Sequence, residues 1–448
     1  MKQLASIWIF LLMIVAASEA QSATQPDTGW TLQQCIDYAK QHNISINTQR
    51  LDQQAAAQDL VAAKGARTPS LTGAVGNTFT HANNDAHGNG SLISQLSSSG
   101  TYALNSSLIL WNDHAVDNTI RQKDLLFQSA GLSVVQQENN ITIRIAQAYL
   151  DILLARENLY YIQNLVATSD SLVRQGQLFY DAGSIAKAAL LQLQAQLASD
   201  KFALVQTQNA VRQNTLVLKQ LLQLPSAADF DVTVPDGLQV NSTLYPLREV
   251  QQAALTNFPD TRIGHLGVDI ASLGVSNAKA AYKPVLKATG ALGSGYTDVL
   301  SNPVAAHQNY FTQTGNNFYQ AIGLSLSIPI FSQRINKANF EKSKIAYNQA
   351  QYDLQNTELV LTQAVEQAYL TAQNGLQSYT AANEQLQAAT ESYRIGNEAF
   401  RLGSIDTYAL LQQRNQYLQA IQSYTQARYT AILEQKLYEF YLNNTITL

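Results

Sequence analysis

The chain has 448 residues, of which 13% are charged, and a net charge of −4 at pH 7. Ordinary soluble domains contain about 25% charged residues, so neutral polar side chains replace much of the usual charge. A net charge this small, without a basic run, excludes nucleic acid as an expected partner.

Residues 1–20 predict a secretory signal peptide. Lys2 supplies the positive start, residues 4–17 are apolar, and Ser18-Glu19-Ala20 is a plausible cleavage site. The chain is therefore expected to leave the cytoplasm. The remainder contains no run of about 18 apolar residues, so β-strands would have to provide any contact with a membrane.

The single cysteine, Cys35, excludes an internal disulfide as the means of holding the fold. A lipid anchor is the alternative role, but Leu32-Gln33-Gln34 does not provide the small residues that such a site needs. The surrounding spacing predicts a thiol packed on a helix.

The chain contains an internal repeat, which is seen first in its helical and strand-forming segments. The helical segment that begins at Leu32 resembles the one that begins at Leu247, 215 positions later. At the same offset, AAKGARTPSL at 62–71 resembles NAKAAYKPVL at 277–286. Self-similarity on this scale predicts two copies of one structural unit.

Further along the chain the offset becomes 220. There YDAGSIAKAALLQLQ at 180–194 matches FRLGSIDTYALLQQR at 400–414, which places an insertion in a loop between residues 286 and 325. Each copy is predicted to hold a helix, two strands, a long helix and a returning helix. The predicted division is a signal peptide at 1–20, a first repeat at 21–224, a linker at 225–246 and a second repeat at 247–448.

Two segments predict unusually long helices, because 115–179 and 333–402 contain no proline. At 1.5 Å per residue, 65 residues span roughly 100 Å. A seven-residue period, typical of coiled coils, supports lateral packing in the second copy. Its large members are Phe340, Tyr347, Leu354, Leu361 and Ala368. A soluble bundle or fibre could show the same period.

Each long helix is followed by Gly-Ser-Ile, which predicts a sharp reversal. Gly183 and Gly403 suit the left-handed conformation after a helix, and Ser184 and Ser404 are expected to cap the next one. The returning helices are predicted at 184–222 and 404–440.

Four segments of alternating hydrophobicity predict β-strands with one apolar and one small or polar face. The apolar positions are Leu71, Val75 and Phe79; Tyr102, Leu104, Leu108 and Leu110; Leu286, Ala288, Leu292 and Tyr296; and Ile322, Leu324, Leu326, Ile328 and Ile330. Residues 82–99 and 298–317 are predicted to be solvent-facing loops. Four strands cannot close a membrane barrel, whose smallest examples have about eight, so three copies would give a twelve-stranded one.

This ordered set of features resembles the TolC family of outer-membrane efflux proteins over nearly all of the predicted mature chain. ARTPSL and AYKPVL, with Pro69 and Pro284, lead into the strands as the resemblance requires. It implies a mixed, mainly α fold: a TolC-like α/β-barrel with long coiled-coil helices and four membrane strands per chain. The homotrimer would lie in outer-membrane lipid with a periplasmic tunnel.

The same resemblance implies a passive exit duct for small molecules or proteins, in tripartite efflux or type I secretion. Its expected partners are a periplasmic adaptor and an inner-membrane pump driven by protons or ATP. No cofactor, metal site or enzymatic activity is expected. His81, Asp85 and His87 could form a metal set, but the Gly/Asn-rich loop gives them no supporting ligands.

The resemblance also assigns the hairpin tips to the periplasmic aperture and to contact with the adaptor. The residues concerned are Tyr180, Asp181, Gly183, Ser184, Phe400, Arg401, Gly403, Ser404 and Asp406. Relatives carry acidic residues six and nine places after the second tip glycine, where this chain has Ala409 and Gln412. Phe400 and Tyr180 could either gate the aperture or pack the hairpin.

A surface-exposed coiled-coil protein, adhesin-like in function, is the alternative reading of the helical period. The paired strands in the middle of each repeat argue against it.

Overall fold

The structure is a computed structural model that describes residues 29–85, 92–225, 227–235, 237–300 and 309–448. The predicted signal peptide at 1–20 lies outside these residues, as do 86–91 and 301–308 from the two predicted loops. No helix in the described part of the chain is both long enough and apolar enough to cross a membrane.

The elements follow the predicted order, except that two helices instead of one precede the strands of each copy and a short helix lies between the strands of the second copy. Within the described residues they are α1 (Leu32–His42), α2 (Ile44–Gly65), β1 (Ser70–Asp85), β2 (Leu92–Trp111), α3 (Ala115–Asp181), α4 (Lys187–Leu221), α5 (Leu247–Asn257), α6 (Pro259–Ala280), β3 (Val285–Val299), α7 (Tyr310–Asn316), β4 (Tyr319–Ser327), α8 (Ile335–Arg401) and α9 (Thr407–Asn443).

The predicted long helices are confirmed as α3 and α8. Each has 67 residues, and the starts and the ends of the two helices differ by the same 220 positions. At 1.5 Å per residue each helix is roughly 100 Å long. Each pairs with its returning helix, so that α3 with α4 forms hairpin 1 and α8 with α9 forms hairpin 2.

The first part of the seven-residue stripe of α8 packs on α6 and on the turn that follows α6, whereas Leu361 and Ala368 join the main core. Leu354 lies against Gly264, where an added Cβ would come within 2.8 Å of its side chain. Phe340 meets Tyr282 edge to face, with ring centroids 6.3 Å apart. The seven-residue period of α8 therefore reflects contact with α6 as well as pairing with α9 in hairpin 2.

The sheet is antiparallel with the order β1-β2-β3-β4. β4 ends at Ser327, which pairs with Val285, the first residue of β3. The prediction that Ile328 and Ile330 continue the strand is therefore wrong. Pro329 has no N–H to donate, and β3 offers no residue beyond Val285 with which to pair.

The predicted loop bounds are also wrong. β1 continues to Asp85 and β2 starts at Leu92, because the ladder of a hairpin is made by backbone N–H and C=O groups, which Ser and Asn also supply. In the second copy β3 extends to Val299, and the seven-residue helix α7 lies within the rest of the predicted loop. Asn309 caps α7 by accepting a hydrogen bond from the Phe311 N–H at 3.2 Å.

The main hydrophobic core lies where α1, α5 and the linker pack around the middle of the long helices. Val232 of the linker is 3% exposed and forms a parallel bridge with Trp30. The Tyr149 hydroxyl donates to the Thr233 carbonyl at 2.5 Å. The predicted linker is thus a packed part of the fold.

Cys35 is completely buried in this core, which confirms the prediction of a packed thiol. Burial raises the pKa of Cys35 to about 12, because the thiolate would lose its hydration.

Candidate functional site

The sheet has one apolar face built from all four strands. Antiparallel partners point to the same side of a sheet, and the register pairs Val75 with Tyr102, Leu104 with Leu292, and Ala288 with Leu324. The predicted apolar positions therefore lie together. On this face are Leu71, Val75, Phe79, Tyr102, Leu104, Leu108, Leu286, Ala288, Leu292, Tyr296, Ile322, Leu324 and Leu326.

One predicted member of this face is wrong. A bulge between Ile109 and Trp111 brings Trp111, instead of Leu110, opposite Leu286. A bulge adds one residue to a strand and so exchanges the faces beyond it. The aromatic ring of Trp111 thereby joins the apolar face at the helical end of the sheet.

The apolar face is open to its surroundings in the single chain. Ile322 is 96% exposed and Val75 is 80% exposed. An exposed patch of this kind marks a surface that contacts lipid or another protein.

The opposite face carries mainly small and polar side chains. Its members include Ser70, Thr72, Ala74, Gly76, Thr78, Ser99, Thr101, Ala103, Asn105, Ser107, Thr289, Ala291, Gly323 and Ser325. Alternation of an apolar face with a small polar face is the pattern of strands between lipid and an aqueous lumen. Pro69 and Pro284 each stand immediately before a strand, at the point where the preceding helical turn gives way to the sheet.

The sheet has two open edges in the single chain. β1, of 16 residues, and β4, of nine, each have a neighbour on one side only among the described strands. An unpaired strand edge presents a row of unsatisfied N–H and C=O groups.

At the opposite end of the chain, both hairpin tips have the same turn. Gly183 and Gly403 have φ angles of +73° and +72°, which confirms the predicted left-handed glycines. The Gly183 N–H donates to the Tyr180 carbonyl at 2.9 Å, and the Ser184 N–H donates to the Phe179 carbonyl at 2.8 Å. These two bonds form the Schellman arrangement that ends a helix, and hairpin 2 repeats both of them.

The prediction that Ser184 and Ser404 cap the returning helices is wrong. The N-cap residues are Ala186, which makes no side-chain bond, and Asp406, whose Oδ1 accepts from the Ala409 N–H at 2.8 Å. Each serine is occupied in the Schellman turn through its N–H, so two further residues are needed before a helix can begin.

Phe400 lies inside the tip. It is 3% exposed, and its ring meets Phe179 of hairpin 1 edge to face, with centroids 6.1 Å apart. Leu172, Leu193 and Leu410 complete this small core. Its counterpart by repeat position, Tyr180, is 38% exposed. The burial of Phe400 in the single chain agrees with packing of the hairpin, the second of the two roles considered for it. Tyr180, by contrast, projects outwards.

The remaining tip residues form a polar rim. Arg401 pairs with Glu398, and Asp181 accepts a hydrogen bond from the Gln177 side chain at 2.8 Å. A cleft of about 610 Å³ separates the tips and brings Ser184, Phe400, Arg401, Gly403, Ser404 and Asp406 together. Tyr180, Asp181 and Gly183 do not line it.

A second groove, between α4 and α9, contains Gln412, nine places after the second tip glycine, whereas Ala409 does not line it. It has a volume of about 570 Å³, and Gln192 and Gln412 face each other's helices across it. Gln196, Asn415, Gln416 and Gln419 add further neutral amides. The recurrence of amides every three or four residues from 412 is the sequence signal for this groove, which the sequence reading did not use.

A buried charge cluster was also missed. Arg414 is fully buried and pairs with Asp200, whose carboxylate also accepts from the Ser169 hydroxyl at 2.5 Å. The Nε and one terminal nitrogen of Arg414 have no partner among the described residues. Neither charge stands out in the sequence, because each lies singly on a long helix that also carries solvated charges.

Comparison with known proteins gives one family and a set of similar folds. Residues 250–438 match the family described as Outer membrane efflux protein. Curated proteins provide no match.

The structure is similar to that of a membrane protein from Pseudomonas aeruginosa (15% identity, TM-score 0.77, 95% of this chain and 98% of that one). It is also similar to the outer membrane protein VceC of Vibrio cholerae (16% identity, TM-score 0.74, 92% of this chain and 95% of that one). A third similar structure is the Campylobacter jejuni CmeC outer membrane channel (17% identity, TM-score 0.73, 93% of this chain and 86% of that one). At this identity the likeness shows the fold. The predicted mainly helical, TolC-like class with a four-stranded sheet is thereby confirmed.

Proposed function

We propose an export function, because residues 250–438 match the family described as Outer membrane efflux protein and the chain has the fold of outer-membrane channels. The matched family is one of outer-membrane proteins, and the outer membrane is also the predicted localisation of this chain. Within it, the chain acts as the passive exit duct of a tripartite assembly, a transport role without catalysis.

The single observation that carries this proposal is the two-faced sheet with open edges. In lipid, each unpaired backbone group would cost several kcal/mol. Pairing β4 of one chain with β1 of the next satisfies both edges at once, and three chains give twelve strands. The apolar face then meets lipid, and the small polar face lines a water-filled pore.

The helical hairpins extend this pore away from the membrane. Helices of roughly 100 Å reach across much of a periplasm, and both tips point to the same end of the molecule because the repeat copies the turn. The cleft between the tips offers apolar walls beside Arg401 and Asp406. We assign it to the contact with a periplasmic adaptor, through which an inner-membrane pump supplies the energy.

The substrate is expected to be small molecules or an exported protein, since a passive duct selects less than its pump. The amide-lined groove at Gln192 and Gln412 supports a pore that lacks the acidic ring of relatives. Cations and anions of equal size should therefore pass with similar ease at this level of the tunnel.

The test is recovery of the native protein from its own membranes. Outer membranes are separated by density, the protein is cross-linked in mild detergent, and its mass is measured. A trimer in the outer-membrane fraction, with loss of drug tolerance or of protein secretion on deletion, supports the proposal. A soluble monomer refutes it, and loss of attachment without any loss of export would favour the adhesin-like alternative.

A further inference from the structure

The segment that joins β3 to β4 has an unusual composition. Residues 309–319, which comprise α7 and its flanks, include four aromatic residues and no charged one. The segment lies in the interval in which the repeat offset grows from 215 to 220, so it belongs to the insertion of the second copy. We call it the α7 segment.

The α7 segment bonds to the backbone of β3 beyond the last pair of β3 with β4. There the Gln313 side-chain oxygen accepts from the Thr297 N–H at 3.0 Å. The Asn317 side-chain amide donates to the Gly295 carbonyl at 2.7 Å. Two backbone groups that β4 does not reach are thus satisfied by side chains, and these bonds fix the position of α7.

α7 lies over the apolar face of the sheet. The Ser294 hydroxyl donates to the Thr314 carbonyl at 2.5 Å. The Tyr310 ring meets the Tyr296 ring edge to face, with centroids 5.0 Å apart, and the Tyr310 hydroxyl donates to the Tyr102 hydroxyl at 2.9 Å. Since Ser294, Tyr296 and Tyr102 all stand on the apolar face, α7 covers part of that face.

The α7 segment also has an outward side. The residues that contact the sheet recur every three or four positions, as one side of a helix requires. Phe311 lies off this side and is 77% exposed. Phe318 is 59% exposed and lines a cleft of about 340 Å³ on the sheet, together with Val75, Leu104 and Leu292. Exposed rings that continue an exposed apolar face mark contact with lipid or another protein.

The position of the segment along the sheet matches the edge of a bilayer. Leu324 is the middle one of the three exposed apolar residues of β4, and Phe318 stands six positions before it. At about 3.3 Å per residue and a strand tilt of about 40°, these positions differ by roughly 15 Å along the membrane normal. Half the hydrocarbon thickness is also about 15 Å. With Leu324 at the centre of the bilayer, Phe318 and α7 therefore lie where acyl chains meet headgroups.

We propose that the α7 segment is an interfacial anchor that binds lipid of the outer leaflet, an inference that rests on the proposed outer-membrane function. Phe311 and Phe318 insert among the upper parts of the acyl chains, as aromatic residues do at membrane interfaces. The cleft beside Phe318 takes part of one chain, and the neutral hydroxyl and amide groups of the segment face the headgroups. The absence of charge in 309–319 favours lipid over a protein that docks through ion pairs.

The test measures the depth of nitroxide labels in vesicles of phosphatidylethanolamine and phosphatidylglycerol. The only native cysteine, Cys35, is completely buried, so a label reacts with an introduced cysteine alone. The variants are Phe311→Cys, Phe318→Cys, Leu324→Cys and, as the matched neighbour on the opposite face, Ser325→Cys. Each replaces an exposed side chain, so folding should be retained. Collisions of each label with oxygen, which dissolves in lipid, are compared with collisions with a nickel chelate, which stays in water.

The Leu324 label should have the highest ratio of oxygen to chelate collisions, and the Ser325 label the lowest. Labels at 311 and 318 should give intermediate ratios, at a depth about 15 Å shallower than that of Leu324.

Labels at 311 and 318 that meet the chelate as often as the Ser325 label would overturn the proposal, because the segment would then face water or another protein. A Leu324 label in water is a distinct failure. The apolar face itself would then lie outside lipid, and the proposed function would fail together with the anchor.

Discussion

Removing the buried charge of Arg414 should destabilise the protein more than removing any exposed charge. In Arg414→Met the Asp200 carboxylate stays buried and keeps only neutral donors, namely the Ser169 hydroxyl at 2.5 Å and the Gln196 amide at 2.9 Å. Leaving one partner of a buried pair uncompensated costs about 3–5 kcal/mol.

This cost converts into a measurable change of unfolding temperature. Unfolding entropy of about 2.1 cal/mol/K per residue gives roughly 0.9 kcal/mol/K for a chain of this length. The expected fall in Tm is therefore about 3–5 °C, followed by the loss of helical circular dichroism in detergent. Arg394→Met is the matched control, because its pair with Glu391 is exposed and screened by solvent, so its removal should leave Tm almost unchanged.

The double variant Arg414→Met with Asp200→Leu completes the cycle. Replacing both charges by apolar groups removes the stranded carboxylate and the two unpaired nitrogens of Arg414, so stability should return to the wild-type value or exceed it. The reasoning is refuted if Arg414→Met unfolds within 1 °C of wild type, or if the double variant is less stable than the single one.

Three further predictions concern the sheet, the tips and the core thiol. Leu324→Arg should destabilise membrane assembly by about 2–4 kcal/mol, because a charge on the apolar face would meet lipid. Ser325→Arg, on the opposite face, should assemble and alter conductance. Equal behaviour of the two variants would contradict the assigned faces. Gly403→Val should strain the left-handed turn and lower Tm, while Gly403→Asn should be tolerated, because no atom lies within 4 Å of an added Cβ. Cys35 should resist a thiol reagent at pH 8 until the protein is unfolded, because burial raises its pKa to about 12. With the folded pKa above the ordinary 9.0, this thiol's contribution to stability is complete below pH 9 and is lost as pH rises towards 12; labelling of folded protein at pH 8 would contradict the burial.

The sequence predicted the long helices and strands well because their signals are local. The absence of proline bounded α3 and α8 to within about two residues, and the glycines of the Gly-Ser-Ile turns indicated the positive φ angles found at Gly183 and Gly403. Alternation located all four strands, since the face of a strand follows directly from its period of two.

The errors arose where tertiary structure decides the outcome. β4 stops where its partner strand runs out, and the bulge before Trp111 exchanges faces without any sign in the pattern. Burial of Arg414 and Asp200 depends on which helices meet, which the composition of a single helix does not reveal. Ser184 and Ser404 were predicted as N-caps, but each serine belongs to the Schellman turn that ends the preceding helix, and the N-cap lies two residues later.

The central claim, a trimeric duct through the outer membrane, is tested most directly by recording single channels of the purified protein in a planar bilayer. The account predicts discrete conductance steps that scale with salt concentration. Folded trimers that insert no channel and pass no current would contradict it.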